Sequence, residues 1–210
     1  MGDISVINKA GELDERTVDA NPIRQFQVWF DEAVGRGLPL AEAMTLCTAT
    51  TDGKPSARMV LLKGVAQSGF VFYTNYRSRK ARELDANPFA ALVFYWEPLE
   101  RQVRVEGQVT RISANESDKY FQTRPRESQL GAIASPQSDV IESRELLEQQ
   151  FRELEEKYSD RTIERPAHWG GYHLVPERIE FWKGRPGRLH DRLLYELQAN
   201  GSWNRSRLAP

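Results

Sequence analysis

The chain has 210 residues, 40% hydrophobic and 28% charged, with a formal net charge of −1. This suits one soluble globular domain and gives no whole-chain argument for a nucleic-acid or membrane partner, so basic clusters are read as local sites. No run is apolar enough to span a bilayer, residues 1–20 lack a signal-peptide core, Val6 breaks the myristoylation pattern, and the single Cys47 leaves no internal disulfide framework, so a reducing cytoplasm is expected.

Residues 1–20 are polar and aperiodic and read as a loose arm; residues 21–210 read as one domain. Asn21 and Pro22 open a helix whose apolar stripe is Ile23, Phe26, Trp29, Phe30, Ala33 and Val34, ended by Gly35 and Gly37. Strands are expected over 43–51 and 56–63, joined across "DGKP", and over 69–75. Ser78 caps a short helix, "RKARELDAN", and a second hairpin follows over 89–97 and 101–112. "NESDKYFQTR", "ESQLGAIAS" and "SRELLEQQFRELEEKY" read as helices, the last with Leu147, Phe151, Leu154 and Tyr158 at helical spacing. Strands return in "GYHLVPERIEFWKG", "RLHDRLLYELQ" and "SWNRSRLAP". Hairpins dominate and βαβ alternation is missing, so the expected fold is mainly β: an antiparallel β-barrel with helices packed outside it.

The sequence has no dinucleotide fingerprint, P-loop, zincin helix or nucleophile elbow. His168, His173 and His190 lack metal-ligand spacing; His168 and His173 are taken as structural or surface residues, and Cys47 as inert core. Other residues suggest chemistry, each beside a plainer reading. Arg58 and Lys63 bracket an apolar strand, lining a site or reaching out to solvent. Arg77, Arg79 and Lys80 crowd a helix N-terminus that is already positive, which makes sense around an anion such as phosphate, or else as a solvated charge run. Tyr120 and Arg124 share a helical face and, with Ser128, offer a second phosphate cradle or ordinary surface polarity. Gln137 and Ser138 offer an amide and a hydroxyl from a loop, and Trp182 a flat ring for a heterocycle or for the core. In "RLHDR", read as a strand, Arg188, His190 and Arg192 point to one face, towards something anionic or electron-rich, or as a charged edge. Two phosphate-like cradles without a metal or a nucleophile suggest a phosphorylated cofactor beside a phosphorylated substrate.

The ordered set "RMVLLK", "FYTN", "SRKA", "ERQVRVEG", "YFQTRPRESQLGA", "SPQS", "WGGY", "IEFW", "RLHDR" and "RLAP" resembles the pyridoxamine 5′-phosphate oxidase family from about residue 21 to 210. The resemblance implies a homodimer of FMN-binding split barrels with each active site at the subunit interface. It implies that Arg58, Met59, Val60, Leu61, Leu62, Lys63, Tyr73, Thr74, Arg79, Lys80 and Gln102 hold FMN from one subunit. Gln137, Ser138, Trp182 and Arg192 would complete that site, some of them from the partner. Lys63, Tyr120, Arg124 and Ser128 would hold the substrate phosphate; Arg188, Leu189 and His190 would lie at the pyridine ring, with Arg188 and His190 the catalytic pair. The implied reaction oxidises pyridoxamine or pyridoxine 5′-phosphate to pyridoxal 5′-phosphate, with O₂ as acceptor and H₂O₂ as product. Family members often carry a basic segment with Tyr in the N-terminal arm; here residues 1–20 hold Lys9 and Arg16 and no Tyr. The competing readings are an FMN oxidase of phenazine precursors, which need not keep the substrate-phosphate cradle, and a flavin- or pyridoxal-phosphate-binding protein that consumes no oxygen.

Overall fold

The computed structural model describes residues 13–66 and 68–210, so residues 1–12, most of the expected arm, lie outside it. Helix α1 (Pro22–Gly35) leads into β1 (Ala43–Ala49), β2 (Pro55–Leu61), β3 (Gly64–Ala66) and β4 (Gly69–Asn75). After α2 (Arg79–Ala86) come β5 (Phe89–Trp96) and β6 (Arg101–Arg111). Three helices, α3 (Ala114–Thr123), α4 (Arg126–Ala134) and α5 (Arg144–Tyr158), precede β7 (Trp169–Lys183), β8 (Asp191–Leu197) and β9 (Trp203–Arg207). The elements follow the expected order; the short β3 is additional.

Every strand pairing is antiparallel, in the order β2-β1-β5-β6-β7-β4-β3, with β8 and β9 added beside β7. The sheet curls until the end of β2 meets β4, where the Lys63 N–H donates to the Val71 carbonyl at 2.8 Å. Strand β7 is the spine. It pairs with β6 along its length, with β4 through Trp169–Leu174, and with β8 through Arg178–Lys183. Pro176 falls between those two partners, where its missing N–H breaks no ladder on that side. Opposite it the β6 register shifts at Glu106/Gly107, and a Cβ on Gly107 would stand 2.1 Å from the Val175 carbonyl oxygen. Only glycine lets the two backbones approach this closely.

Helix α1 fills the barrel because its apolar stripe faces inward. Phe26 is fully buried between Phe70 and Phe94, at ring distances of 4.9 and 4.8 Å, and Trp29 meets Phe181 edge-on at 5.2 Å. Asn21 caps the helix as expected. Val34, placed on the stripe by spacing, instead stands exposed at the last turn. A second, smaller core joins Phe121, Leu130, Ile163 and Trp169 beneath α3–α5. Residues 13–20 are fastened rather than loose: Leu13 is buried, Arg207 donates to its carbonyl and pairs with Glu15, and the Tyr195 hydroxyl donates to the Asp19 carbonyl. Cys47 is half-exposed on the outward face of β1, not in the core. Among the described residues no helix is long and apolar enough to cross a membrane.

Replacing Gly107→Ala forces the β6–β7 bulge apart and is expected to lower stability by about 1–3 kcal/mol. Gly131→Ala, on α4 with open space at its Cβ, is expected to raise it by about 0.5–1 kcal/mol. Urea melts of both variants check the opposite signs.

Candidate active site

The seam between the two cores opens as a cavity of about 310 Å³, lined by β2, β4, α2, α3 and the loop after α4. Along β2, Arg58 and Val60 turn inward while Met59 and Leu61 turn out, as strand alternation requires; Leu62, just past the strand, is buried. Arg58, Met59, Val60, Leu61 and Lys63 all reach the cavity.

Arg58 is oriented by Glu83, which sequence reasoning passed over. The buried Glu83 carboxylate accepts from Ser56, from Thr48 and, at 2.8 Å, from Arg79 Nε, while Arg58 Nη2 stands 3.4 Å away. Burial alone would raise its pKa, but these hydrogen bonds outweigh burial and hold it at about 2. Both guanidiniums are thus anchored to a fixed charge one turn into α2, whose N-terminus is capped by the Ser78 side chain accepting the Ala81 N–H.

Lys80 differs. Its Nζ is buried and donates to Thr74 Oγ1 at 3.2 Å, Ser78 Oγ at 3.4 Å and Gln137 Oε1 at 3.0 Å, all neutral oxygens. Thr74 also donates to Gln137 Oε1 at 3.0 Å, so the loop is tied to β4, with Ser138 next at φ 75°. Burial, then the Arg58 charge, pushes the Lys80 pKa down to about 8.

Across the cavity Tyr73 stacks on Tyr120 at 3.9 Å and on Trp169 at 5.3 Å. Gly171 makes room for this: a Cβ there would come within 2.8 Å of the Tyr73 ring. Burial, then Tyr120, pushes the Tyr73 phenol up to about 12, keeping it a donor at neutral pH. Arg124 is not on the helical face where spacing puts it; it is the extended C-cap of α3, because Pro125 disfavours helical backbone before it. Its guanidinium still reaches the cavity and lies 4.5 Å over the Trp169 ring. Its buried Nη1 has no hydrogen-bond partner among the described residues. Ser128, in the first turn of α4, lines the adjoining cavity with Arg124 and Trp169.

The remaining candidates stand elsewhere on the chain. Gln102, Trp182 and Arg192 are cross-strand neighbours on β6, β7 and β8, so Gln102 belongs with these two and not with the β2–β4 group. Gln137 stands with the Thr74–Lys80 group. Arg192 forms a two-point pair with buried Glu180, at 2.9 and 3.1 Å, and donates to the Ala209 carbonyl, which pins the terminal "RLAP". "RLHDR" is not one strand: β8 begins at Asp191, and Pro186–Arg188 form a 3₁₀ turn with Gly187 and Arg188 both at positive φ. Arg188 and Leu189 are exposed there. His190 folds back on Trp182 at 4.6 Å, and its Nδ1 accepts the Arg185 N–H at 3.1 Å. The neutral ring therefore carries its proton on Nε2, which makes that nitrogen a donor. No residue of this second group lines the first cavity.

Residues 30–158 match the family model for pyridoxamine 5′-phosphate oxidase, and residues 169–210 the model for the pyridoxine 5′-phosphate oxidase C-terminal dimerisation region. The chain belongs to the pyridoxamine 5′-phosphate oxidase family. It is 60% identical over 198 residues to the pyridoxine/pyridoxamine 5′-phosphate oxidase of Rubrobacter xylanophilus, covering 94% of this chain and 91% of that one. It is 58% identical to the protein of the same name from Nostoc punctiforme, over 94% and 92% of the two chains. Among solved structures, PhzG from Burkholderia lata, in complex with tetrahydrophenazine-1-carboxylic acid, superposes with a TM-score of 0.91 at 31% identity, over 96% and 98% of the chains. A family-related FMN binding protein of Nostoc punctiforme shares the fold, with a TM-score of 0.72 at 20% identity over 90% and 97%. Within this oxidase family the second group of residues, Gln102 apart, lies in the dimerisation region.

The depressed Lys80 pKa has a signed consequence. Between about 8 and the ordinary lysine value of 10.5 the unfolded chain binds more protons than the fold, so this group makes stability rise with pH across that window. Urea melts should show wild type gaining on Lys80→Met from about pH 8 upward; a difference that stays flat would contradict the buried, cationic Lys80.

Proposed function

We propose that this chain is a pyridoxine/pyridoxamine 5′-phosphate oxidase that uses FMN and works as a homodimer, each site assembled from two copies. The observation that carries the reading is a pair of cations in one cavity, the buried Lys80 and the half-buried Arg124, neither with a carboxylate partner among the described residues. A buried charge costs several kcal/mol unless it is compensated. Two such cations in one cavity suit two phosphate esters, one on a cofactor and one on a substrate.

The residues present fit FMN. Lys80, Arg58 and Arg79 surround the Ser78-capped end of α2, with Thr74, Gln137 and Ser138 supplying neutral groups beside them. The segment Arg58–Lys63 with Tyr73 forms the adjoining wall, and Gln102, Trp182 and Arg192 of the second copy complete the site. When bound, FMN would supply the redox chemistry of a two-electron oxidation with O₂ as final acceptor and H₂O₂ as product. The chain itself holds and orients. Lys63, Tyr120, Arg124 and Ser128 take the substrate phosphate. Arg188, Leu189 and His190 border the pyridine ring, where Arg188 brings a fixed positive charge and His190 Nε2 a hydrogen-bond donor. The stacked Tyr73, Tyr120 and Trp169 keep water from the cavity wall. A half-exposed, unpaired Cys47 and the small polar substrates suit a cytoplasmic enzyme.

The test is an aerobic assay of the purified protein with and without added FMN. Pyridoxine 5′-phosphate and pyridoxamine 5′-phosphate should each yield aldehyde and peroxide, dependent on flavin, while unphosphorylated pyridoxine reacts at least about 10-fold less efficiently, the worth of one charge-assisted phosphate contact. Flavin binding without turnover of either phosphate ester would overturn the substrate assignment and leave a phenazine-type substrate as the next to test.

A further inference from the structure

We propose that Trp169 is a specificity-determining positioning residue, holding the Arg124 guanidinium on its indole face so that this cation is kept free for a phosphorylated substrate. The inference rests on the reading of Arg124 as a substrate-phosphate ligand. Three other arginines with little exposure are held by carboxylates, Arg101 by Glu32 at 2.6 Å, Arg165 by Asp118 at 2.6 Å and Arg192 by Glu180 at 2.9 Å, while Arg205, over the Tyr195 ring at 5.7 Å, spends a donor on the Val18 carbonyl. Arg101 also lies over an indole, Trp29 at 4.6 Å, yet keeps its carboxylate. Arg124 has rings in place of one, Trp169 at 4.5 Å and Phe121 at 5.7 Å, and among the described residues no side-chain hydrogen bond.

That choice of partner matters chemically. A carboxylate would orient the guanidinium but neutralise it and occupy its donors. An aromatic face attracts the cation from one side and consumes none of its five N–H groups. Burial lowers the proton affinity of Arg124, but a guanidinium stays charged at neutral pH, so the cavity keeps an oriented cation with open donors. Trp169 can serve as this platform because it is itself fixed. It is 6% exposed, pairs with Asn75 at the start of β7, receives Arg165 Nη1 on its carbonyl at 2.6 Å, and meets the Phe121 ring edge-on at 5.2 Å. It lines both the main cavity and the adjoining one that contains Ser128.

The experiment compares wild type, Trp169→Phe and Trp169→Leu under saturating FMN, with pyridoxine 5′-phosphate and with pyridoxine. Binding of pyridoxine 5′-phosphate to the flavin-free proteins, measured by calorimetry, gives a readout independent of turnover. The expected result for Trp169→Leu is a KM for the phosphate ester raised roughly 10-fold, kcat within about twofold, and a several-fold smaller KM change for pyridoxine, with Trp169→Phe intermediate because a smaller ring keeps part of the attraction. The dissociation constant in the flavin-free protein should move with KM. Equal losses for the phosphorylated and unphosphorylated substrates would mean a merely structural role and overturn the proposal, as would a normal KM in both variants. If wild type turns over neither phosphate ester, the oxidase reading itself fails and this proposal with it; normal wild-type turnover with insensitive variants sinks this proposal alone.

Discussion

Two positive charges, one buried and one half-buried, that have no carboxylate partner among the described residues set the terms for the rest of this structure. Lys80 rests among three neutral oxygens and Arg124 on an indole ring, in the same cavity. Leaving such charges unpaired costs a fold stability, and the surrounding elements can be understood as what makes the cost bearable. The curled sheet brings β4 beside the end of β2, α2 starts at that junction, and the small core under α3–α5 supplies the aromatic wall. Nearby guanidiniums that could have been left loose are tied to Glu83. The polar groups are thereby placed before any ligand arrives, which is where the protein's share of a cofactor-driven reaction lies.

The proposed site is divided between two places on the chain. The row Gln102–Trp182–Arg192 and the turn carrying Arg188 and His190 sit on a different stretch of sheet, and β7 links the two places by pairing with β4 at one end and β8 at the other. Residues 169–210 match the family's dimerisation region. An arrangement in which one copy brings the phosphate cradles and another brings the ring-facing residues makes association part of the active site. Isologous pairing then yields two equivalent sites from one interface.

Much of the fold was legible from local signals. The caps at Asn21 and Ser78, the hairpin across "DGKP" and the period of α1 each depend on neighbours within a few residues, and each stands where the sequence places it. The misreadings came from interactions that local pattern does not encode. Alternation alone turned "RLHDR" into a strand, but Gly187 and Arg188 at positive φ break it before Asp191. Helical spacing put Arg124 beside Tyr120 on α3, and Pro125 ended the helix one residue earlier. Sheet register, not chain order, puts Gln102 across from Trp182, and the loop after α4 brings Gln137 to Lys80, neither of which local pattern encodes. Trp169 and Glu83 were missed as site residues: one looked like the start of a strand, the other like an ordinary helix charge. The two glycines after Trp169 were the available signal, since they mark a crowded backbone.

The central claim, that a working site needs the cradle of one copy and the β6–β8 row of another, is most directly tested by mixing two inactive variants. Lys80→Ala breaks the cradle and Arg192→Ala breaks the row. Co-expressed at equal levels and associating at random, they should form mixed dimers with one intact site, restoring about a quarter of wild-type oxidase activity although each variant alone has almost none. A mixture that stays as inactive as its parents, with mixed dimers present, would contradict the shared site and place the whole reaction within a single copy.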